Sequence, residues 1–223
     1  MFCAVLFDLD GTLYDSNTLA HSSRVNAVKA MVESGLDVDF EEAFQRLLEI
    51  VGKYGSNYDH HFDMLLESFG RKPDARIIAA GVLAYHETKT AYLVPYPSVI
   101  PTLLDLRQKG LKIGVVSNGK PVKQWEKLIH LGLQHFFHTV VIRESGGKPA
   151  GEPVLEALEK LGLTSGECLM VGDRVETDVL AAKNAGVKSV LVVRGGMPGE
   201  IEPEPDYIIT SLKDVIKIID TQK

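Results

Sequence analysis

Asp8 and Asp10 stand one residue apart, directly after the apolar run Ala4–Phe7. Like charges so close repel each other, and a positive charge is needed to make the pair tolerable. Other groups with chemistry to offer also follow short apolar runs. Ser117 and Asn118 end KIGVVSN (112–118), Asp173 ends CLMVGD (168–173), and Asp178 follows in GDRVETD. Lys148 stands in GGKPAGEP, after the apolar run HTVVIRE (138–144). Brought to one crevice, these residues would supply carboxylates, a hydroxyl, an amide and an ammonium. Hard oxygen ligands with room for water suit Mg²⁺, which keeps several waters and takes a substrate oxygen, whereas Ca²⁺ usually gathers more protein oxygens. Magnesium is therefore the expected cofactor.

The elements that must position these groups can be read from the same runs. AVLF (4–7), KIGVVSN, HTVVIRE, CLMVGD, SVLVV (189–193) and YIIT (207–210) are short and rich in Val and Ile, as buried parallel strands are. Between them lie PSVIPTLLDLRQKG (97–110), PVKQWEKLIHLG (121–132), EPVLEALEKLG (152–162) and ETDVLAAKNAG (176–186), each ending in glycine. Proline near a start and glycine just past an end mark helices. Strand then helix, repeated, predicts an α/β fold with a doubly wound, mostly parallel sheet. Ligands of such sheets bind beyond the carboxyl ends of the strands, where the candidate residues fall.

One stretch breaks the alternation. From Ser16 to Val94 the apolar spacing is helical in four segments: SSRVNAVKAMVESG, FEEAFQRLLEIVGKYG, YDHHFDMLLESFG and DARIIAAGVLAYHETKTAYL. The sequence thus predicts an α/β core of residues 1–15 and 95–223, interrupted by a helical insert over 16–94. VPYP (94–97) reads as the return hinge, because two prolines discourage helix there. GEIEPEPD (199–206) reads as a solvated loop.

Composition bounds the function. The chain has 223 residues, 45 % hydrophobic and 24 % charged, enough for a sizeable core. Its net charge is −6 with scattered lysines and arginines, which argues against a nucleic-acid partner. Cys3 and Cys168 both lie in apolar stretches and read as reduced, buried thiols. No apolar run approaches the about 20 residues of a membrane span. No basic leader precedes Asp8, so a signal peptide is not expected and the reading is cytoplasmic.

Taken in order, DLDGT, SN, GKP and GDRVETD resemble the four motifs of the haloacid dehalogenase (HAD) superfamily of phosphohydrolases. The helical insert sits where one branch of that family carries its cap, and SNGKPVKQWEKL is most like archaeal members. The resemblance implies a Rossmann-like core and a Mg²⁺-dependent phosphomonoesterase acting on a small phosphorylated metabolite. Asp8 would be the nucleophile, forming an aspartyl-phosphate. Asp10 would protonate the leaving alcohol and later deprotonate the hydrolytic water. Asp8, Asp10 (through its carbonyl) and Asp173 would hold the metal, with Asp178 acting behind them through a water. Ser117 and the amides of Asn118 and Gly119 would hold phosphoryl oxygens, and the N-terminus of the helix that begins at Pro121 would point at the phosphate. Lys148 would screen the incoming phosphate. The family often follows its lysine-proline with an acidic or polar residue, a further proline and a bulky apolar pair. Here Pro149, Ala150, Gly151, Glu152 and Pro153 follow Lys148, giving a more flexible loop. The insert would act as a lid, with Tyr14, Asn17, Tyr54, Asn57, Tyr58 and His86 on its side. Archaeal relatives of this appearance are linked to phosphorylated trioses.

Each residue also has a plainer reading. Asp8 and Asp10 could form a solvated turn, Ser117 and Asn118 cap a helix, Lys148 lie on the surface, and Asp178 favour a helix dipole. HHF (60–62) and HFFH (135–138) lack the ligand set of a closed zinc site. Trp125 is expected to pack in the core. Three rival functions remain at this level. A dehalogenase is opposed by Asp10 and Asp173. A phosphomutase would need the lid to retain its intermediate. A phospho-receiver module is opposed by the insert and by an acceptor on the first strand.

Overall fold

The structure is a computed structural model and describes residues 1–144, 151–196, 199 and 201–221. It divides into two compact units, Met1–Asp15 with Val94–Lys223, and Ser16–Leu93. Val94, placed at the end of the insert by sequence, belongs to the first unit.

The first unit is built on six parallel strands, β1 (Ala4–Phe7), β2 (Lys112–Asn118), β3 (Thr139–Arg143), β4 (Cys168–Gly172), β5 (Lys188–Val192) and β6 (Tyr207–Ile209), in the order β3-β2-β1-β4-β5-β6. Every residue of β1 and of β4 is buried, as their unbroken apolar runs require when helices cover both faces. The register pairs Phe7 with Val115 on one side and with Val171 on the other. β1 and β4 therefore end almost level, while β2 runs on past Val115 to Asn118. Gly114 allows close packing here, because a Cβ on it would lie 2.6 Å from a Leu6 methyl and 2.7 Å from Thr139 Cγ2. The chain first extends the sheet from β1 to β3, then returns to the other side of β1 with β4. The strand order reverses between β1 and β4, which is where open α/β sheets form their ligand crevice.

The sheet unit's helices are α5 (Val99–Gln108), α6 (Pro121–His130), α7 (Glu152–Leu161), α8 (Leu180–Asn184) and α9 (Asp214–Asp220), numbered after the four of the second unit. Ala4, Leu6, Val141, Met170, Val154, Leu158 and Ala182 share one core beneath α7 and α8. The segment read as one helix over 176–186 departs from that expectation. It opens with a π-helical turn, Val175–Val179, in which the Arg174 carbonyl accepts from Asp178 N at 2.9 Å and Val179 N at 3.2 Å. Such widened turns recur at functional sites, and this one sets the position of Asp178. Cys3 and Cys168 are both free, and burial pushes the Cys168 thiol up to about 12.

The second unit contains α1 (Ser16–Glu33), α2 (Phe40–Tyr54), α3 (His61–Ser68) and α4 (Ala75–Tyr92). Val28, Met31, Phe44, Leu47, Leu65, Leu66 and Ile77 form its core. Asp39 caps α2 by accepting from Glu41 N and Glu42 N, and Asp74 caps α4 by accepting from Arg76 N and Ile77 N. Among the described residues no helix is long and apolar enough to cross a membrane.

Candidate active site at the strand ends

The first component is a cluster of acids. Asp8 follows β1 and Asp173 follows β4, while Asp178 comes from the π-turn; one carboxylate oxygen from each lies within 4.8 Å of the others. Asp8 is 7 % exposed and Asp178 is 2 % exposed. Space for the cluster depends on two glycines. A Cβ on Gly11 would fall 2.2 Å from Asp173 Oδ2, and one on Gly172 would fall 2.2 Å from Asp178 Oδ2. Gly11 also has φ +84°, which disfavours any side chain there. Thr12 Oγ1 donates to Asp173 Oδ1 at 3.3 Å, and Asp178 accepts from Arg174 N and Thr177 Oγ1, both at 3.2 Å. Burial first, and then the charge of Asp178, push the Asp173 carboxyl above its ordinary value. Three buried or half-buried hard oxygen donors, electrostatically strained against each other, fit a divalent cation, and Mg²⁺ in particular by its preference for carboxylate and water.

The second component surrounds Asp10, whose carboxylate is not part of that cluster. Lys127 Nζ lies 2.6 Å from Oδ1 and 2.9 Å from Oδ2, and Gln124 Nε2 donates to Oδ2 at 2.9 Å. The Tyr14 hydroxyl also donates to Oδ1. Burial by itself would raise the Asp10 carboxyl, but Lys127, Gln124 and Tyr14 together hold it below its ordinary value. Gln124 further donates to Ser117 Oγ and to the Asn118 carbonyl, each at 2.8 Å, so it ties the end of β2 to Asp10. Ser117 is 1 % exposed.

Two expected placements change. Gly119, expected to offer its amide to a phosphate, donates that N–H to the Arg143 carbonyl at 2.8 Å. Tyr14, expected on the side of the insert, is buried in the sheet unit beside Asp10. Lys148 lies outside the described residues.

The structure also reveals groups that the sequence reading missed. Arg194, just past β5, donates from Nη1 to the Gly11 carbonyl at 2.5 Å and from Nη2 to the Thr12 carbonyl at 2.8 Å. Its guanidinium carbon sits 3.9 Å from the centroid of the Tyr96 ring, a cation–π contact. It thus braces the turn that carries Asp10 and Gly11. Nothing in the sequence marks an arginine this far along the chain. Gln124 and Lys127 had a signal, since residues three apart share a helix face. It was obscured by Val122, Trp125 and Ile129, which look like a buried stripe but are 69 %, 40 % and 59 % exposed. Trp125 is therefore not a core residue; α6 buries Gln124 and Leu128 instead.

The comparisons with known proteins agree with this geometry. The chain matches the family described as haloacid dehalogenase-like hydrolase over residues 3–186. It is 46 % identical to a glyceraldehyde 3-phosphate phosphatase of Methanopyrus kandleri, with 98 % of this chain and 97 % of that protein covered. It is 42 % identical to a glyceraldehyde 3-phosphate phosphatase of Methanocaldococcus jannaschii, covering 100 % and 99 %. Among solved structures it resembles a HAD phosphatase from Thermococcus onnurineus, with a TM-score of 0.70, 33 % identity and 98 % of each chain covered.

Proposed function

The chain belongs to the haloacid dehalogenase-like hydrolases, and from that premise we propose that it is a Mg²⁺-dependent phosphomonoesterase of a small phosphorylated metabolite, a phosphorylated triose such as glyceraldehyde 3-phosphate. The observation that carries this reading is the gathering of Asp8, Asp173 and Asp178 within 4.8 Å, with Asp10 close to Asp8 in the chain but held by a separate set of donors. The substrate class is supported by relatives of that name matching across nearly all of the chain. In this reading the sheet unit is the catalytic core and the helical unit its cap.

Asp8 Oδ attacks phosphorus, and the phosphorus–oxygen bond to the leaving group breaks as Asp10 gives that oxygen a proton. Water then attacks the aspartyl-phosphate, its proton passes to Asp10, and the bonding pair returns to the Asp8 carboxylate. The proton that Asp10 takes from the water is the one it gives to the next leaving group. Ser117 and Asn118, at the end of β2, orient the phosphoryl oxygens, with Gln124 fixing the serine. Asp8, Asp173 and Asp178, with the Asp10 carbonyl, would hold Mg²⁺, which when bound supplies charge neutralisation for the phosphoryl group. Lys148, outside the described residues, keeps the phosphate-screening part that the family resemblance implies.

Asp8→Asn tests the reading. Hydrolysis of glyceraldehyde 3-phosphate and of p-nitrophenyl phosphate should fall at least about a thousandfold, with the metal-free thermal midpoint no lower than the parent's. Turnover near that of the parent protein would remove the nucleophile from the scheme.

A further inference from the structure

Asp10 is ringed by donors. Lys127 reaches both carboxylate oxygens, at 2.6 and 2.9 Å, Gln124 Nε2 reaches Oδ2 at 2.9 Å, and the Tyr14 hydroxyl reaches Oδ1. Lys127 and Gln124 lie on one face of α6, three residues apart. The lysine side chain is only 17 % exposed, and its Nζ also stands 5.9 Å from the Tyr14 ring centroid. A lysine that loosely decorated the surface would not be confined between a carboxylate and an aromatic face. A neutral carboxylic acid would need an acceptor for its own proton, whereas the Lys127 ammonium and the Gln124 amide nitrogen can only donate. The nest therefore complements the carboxylate in its proton-accepting form.

The reaction above uses Asp10 twice, as an acid when the phosphoenzyme forms and as a base when it breaks down. We propose that Lys127, seconded by Gln124, is a positioning residue for the second half, holding the Asp10 carboxylate where it takes the proton of the hydrolytic water. This rests on the phosphomonoesterase reading. In that half the water oxygen bonds to phosphorus and one water proton moves to Asp10. The bond from phosphorus to Asp8 Oδ breaks, its electron pair returns to Asp8, and hydrogen phosphate leaves. Lys127 exchanges no proton in the step. Its part is to fix the acceptor and to balance a charge that would otherwise stand unscreened near Asp8.

The kinetics of p-nitrophenyl phosphate separate the two halves, because p-nitrophenol leaves without help from an acid. In Lys127→Met, kcat should fall at least about tenfold while kcat/KM, which reports only the steps up to nitrophenol release, stays within about threefold. KM then falls with kcat, and rapid mixing should show a burst of about one nitrophenol per protein, because phosphoenzyme accumulates. Lys127→Arg keeps a charged donor and should recover most of the loss. A lysine with only a structural role would lower kcat/KM in step with kcat, or alter neither, and either result overturns the assignment. If the methionine variant does not fold, Lys127→Gln carries the same test. Asp8→Asn run alongside separates the two claims. Turnover in Asp8→Asn would remove the phosphoenzyme reading itself. An inactive Asp8→Asn combined with no kinetic split in Lys127→Met would remove the role of Lys127 alone.

Discussion

Asp8 and Asp10 leave the same strand one residue apart, yet their surroundings have opposite character. Asp8 joins Asp173 and Asp178 in a cluster of acids where burial, and then Asp178, raise the Asp173 carboxyl. Asp10 turns to an ammonium, an amide and a phenol, whose combined pull outweighs burial and lowers it. A buried cluster of like charges is costly, and the cost is offset when a cation arrives. An acid already ringed by donors is complete without one and can be devoted to moving a proton. The pattern Asp-x-Asp therefore describes two neighbouring sites rather than one pair of equivalent ligands.

Metal removal is the strongest way to break that contrast. Exhaustive chelation should abolish turnover, with at least about a hundredfold loss, and Mg²⁺ should restore it. At one hundred times its dissociation constant, Mg²⁺ should raise folding stability by about 2.7 kcal/mol, read as a shift in the thermal midpoint. Asp178→Asn sharpens the test by removing one charge from the cluster. The metal-free variant should be at least as stable as the parent, because repulsion is relieved, while the Mg²⁺ increment shrinks by about 1 kcal/mol or more. Full rates after chelation, or an unchanged increment in the variant, would show that the acids gather for another reason.

A smaller effect is expected where the two sites meet. Gly11 follows Asp10 in the turn braced by Arg194, and its missing side chain leaves room for Asp173. Gly11→Ala should cost about 1–3 kcal/mol of stability through its positive φ. Displacement of Asp173 should cost about a hundredfold in kcat/KM. A variant that kept full activity would show that the cluster tolerates movement, which a metal site built on fixed oxygens does not.

The sheet was legible because its strands are continuous apolar runs, and a chain such as Cys168–Gly172 has few other ways to be buried. The insert's four helices were legible from their period. The candidate residues at the ends of β1, β2 and β4 were legible as candidates because strand ends are where a parallel sheet presents its ligands. What was hidden lay in packing. The face of α6 was misjudged because Val122, Trp125 and Ile129 have the spacing of a core stripe, while the helix turns Gln124 inward to bond Asp10 and Ser117. The π-turn at Val175–Val179 has no period of its own in five residues, so the grouping of Asp178 with Asp8 and Asp173 within 4.8 Å leaves no mark in the sequence pattern. Arg194 acts through two backbone carbonyls, and backbone acceptors leave no trace in the side-chain pattern.

The mildest expected change tests whether the surroundings of Asp10 are as self-sufficient as the contrast implies. Tyr14→Phe removes one donor from Oδ1 and leaves Lys127 on both oxygens and Gln124 on Oδ2. A hydrogen bond to a charged group contributes about 1.5–3 kcal/mol, but the remaining donors can tighten, so the loss of stability should be nearer 1 kcal/mol. The ring stays, and with it the apolar filling of a residue that is 3 % exposed. Turnover should fall by less than about tenfold, well short of the changes expected from chelation or at Gly11, because the ammonium and amide still hold Asp10. Steady-state rates beside a thermal melt measure both quantities in one preparation. A loss as large as that of Asp8→Asn would mean that the tyrosine hydroxyl itself exchanges a proton during the reaction, and the division between a metal-holding cluster and a self-contained acid would have to be redrawn around Tyr14.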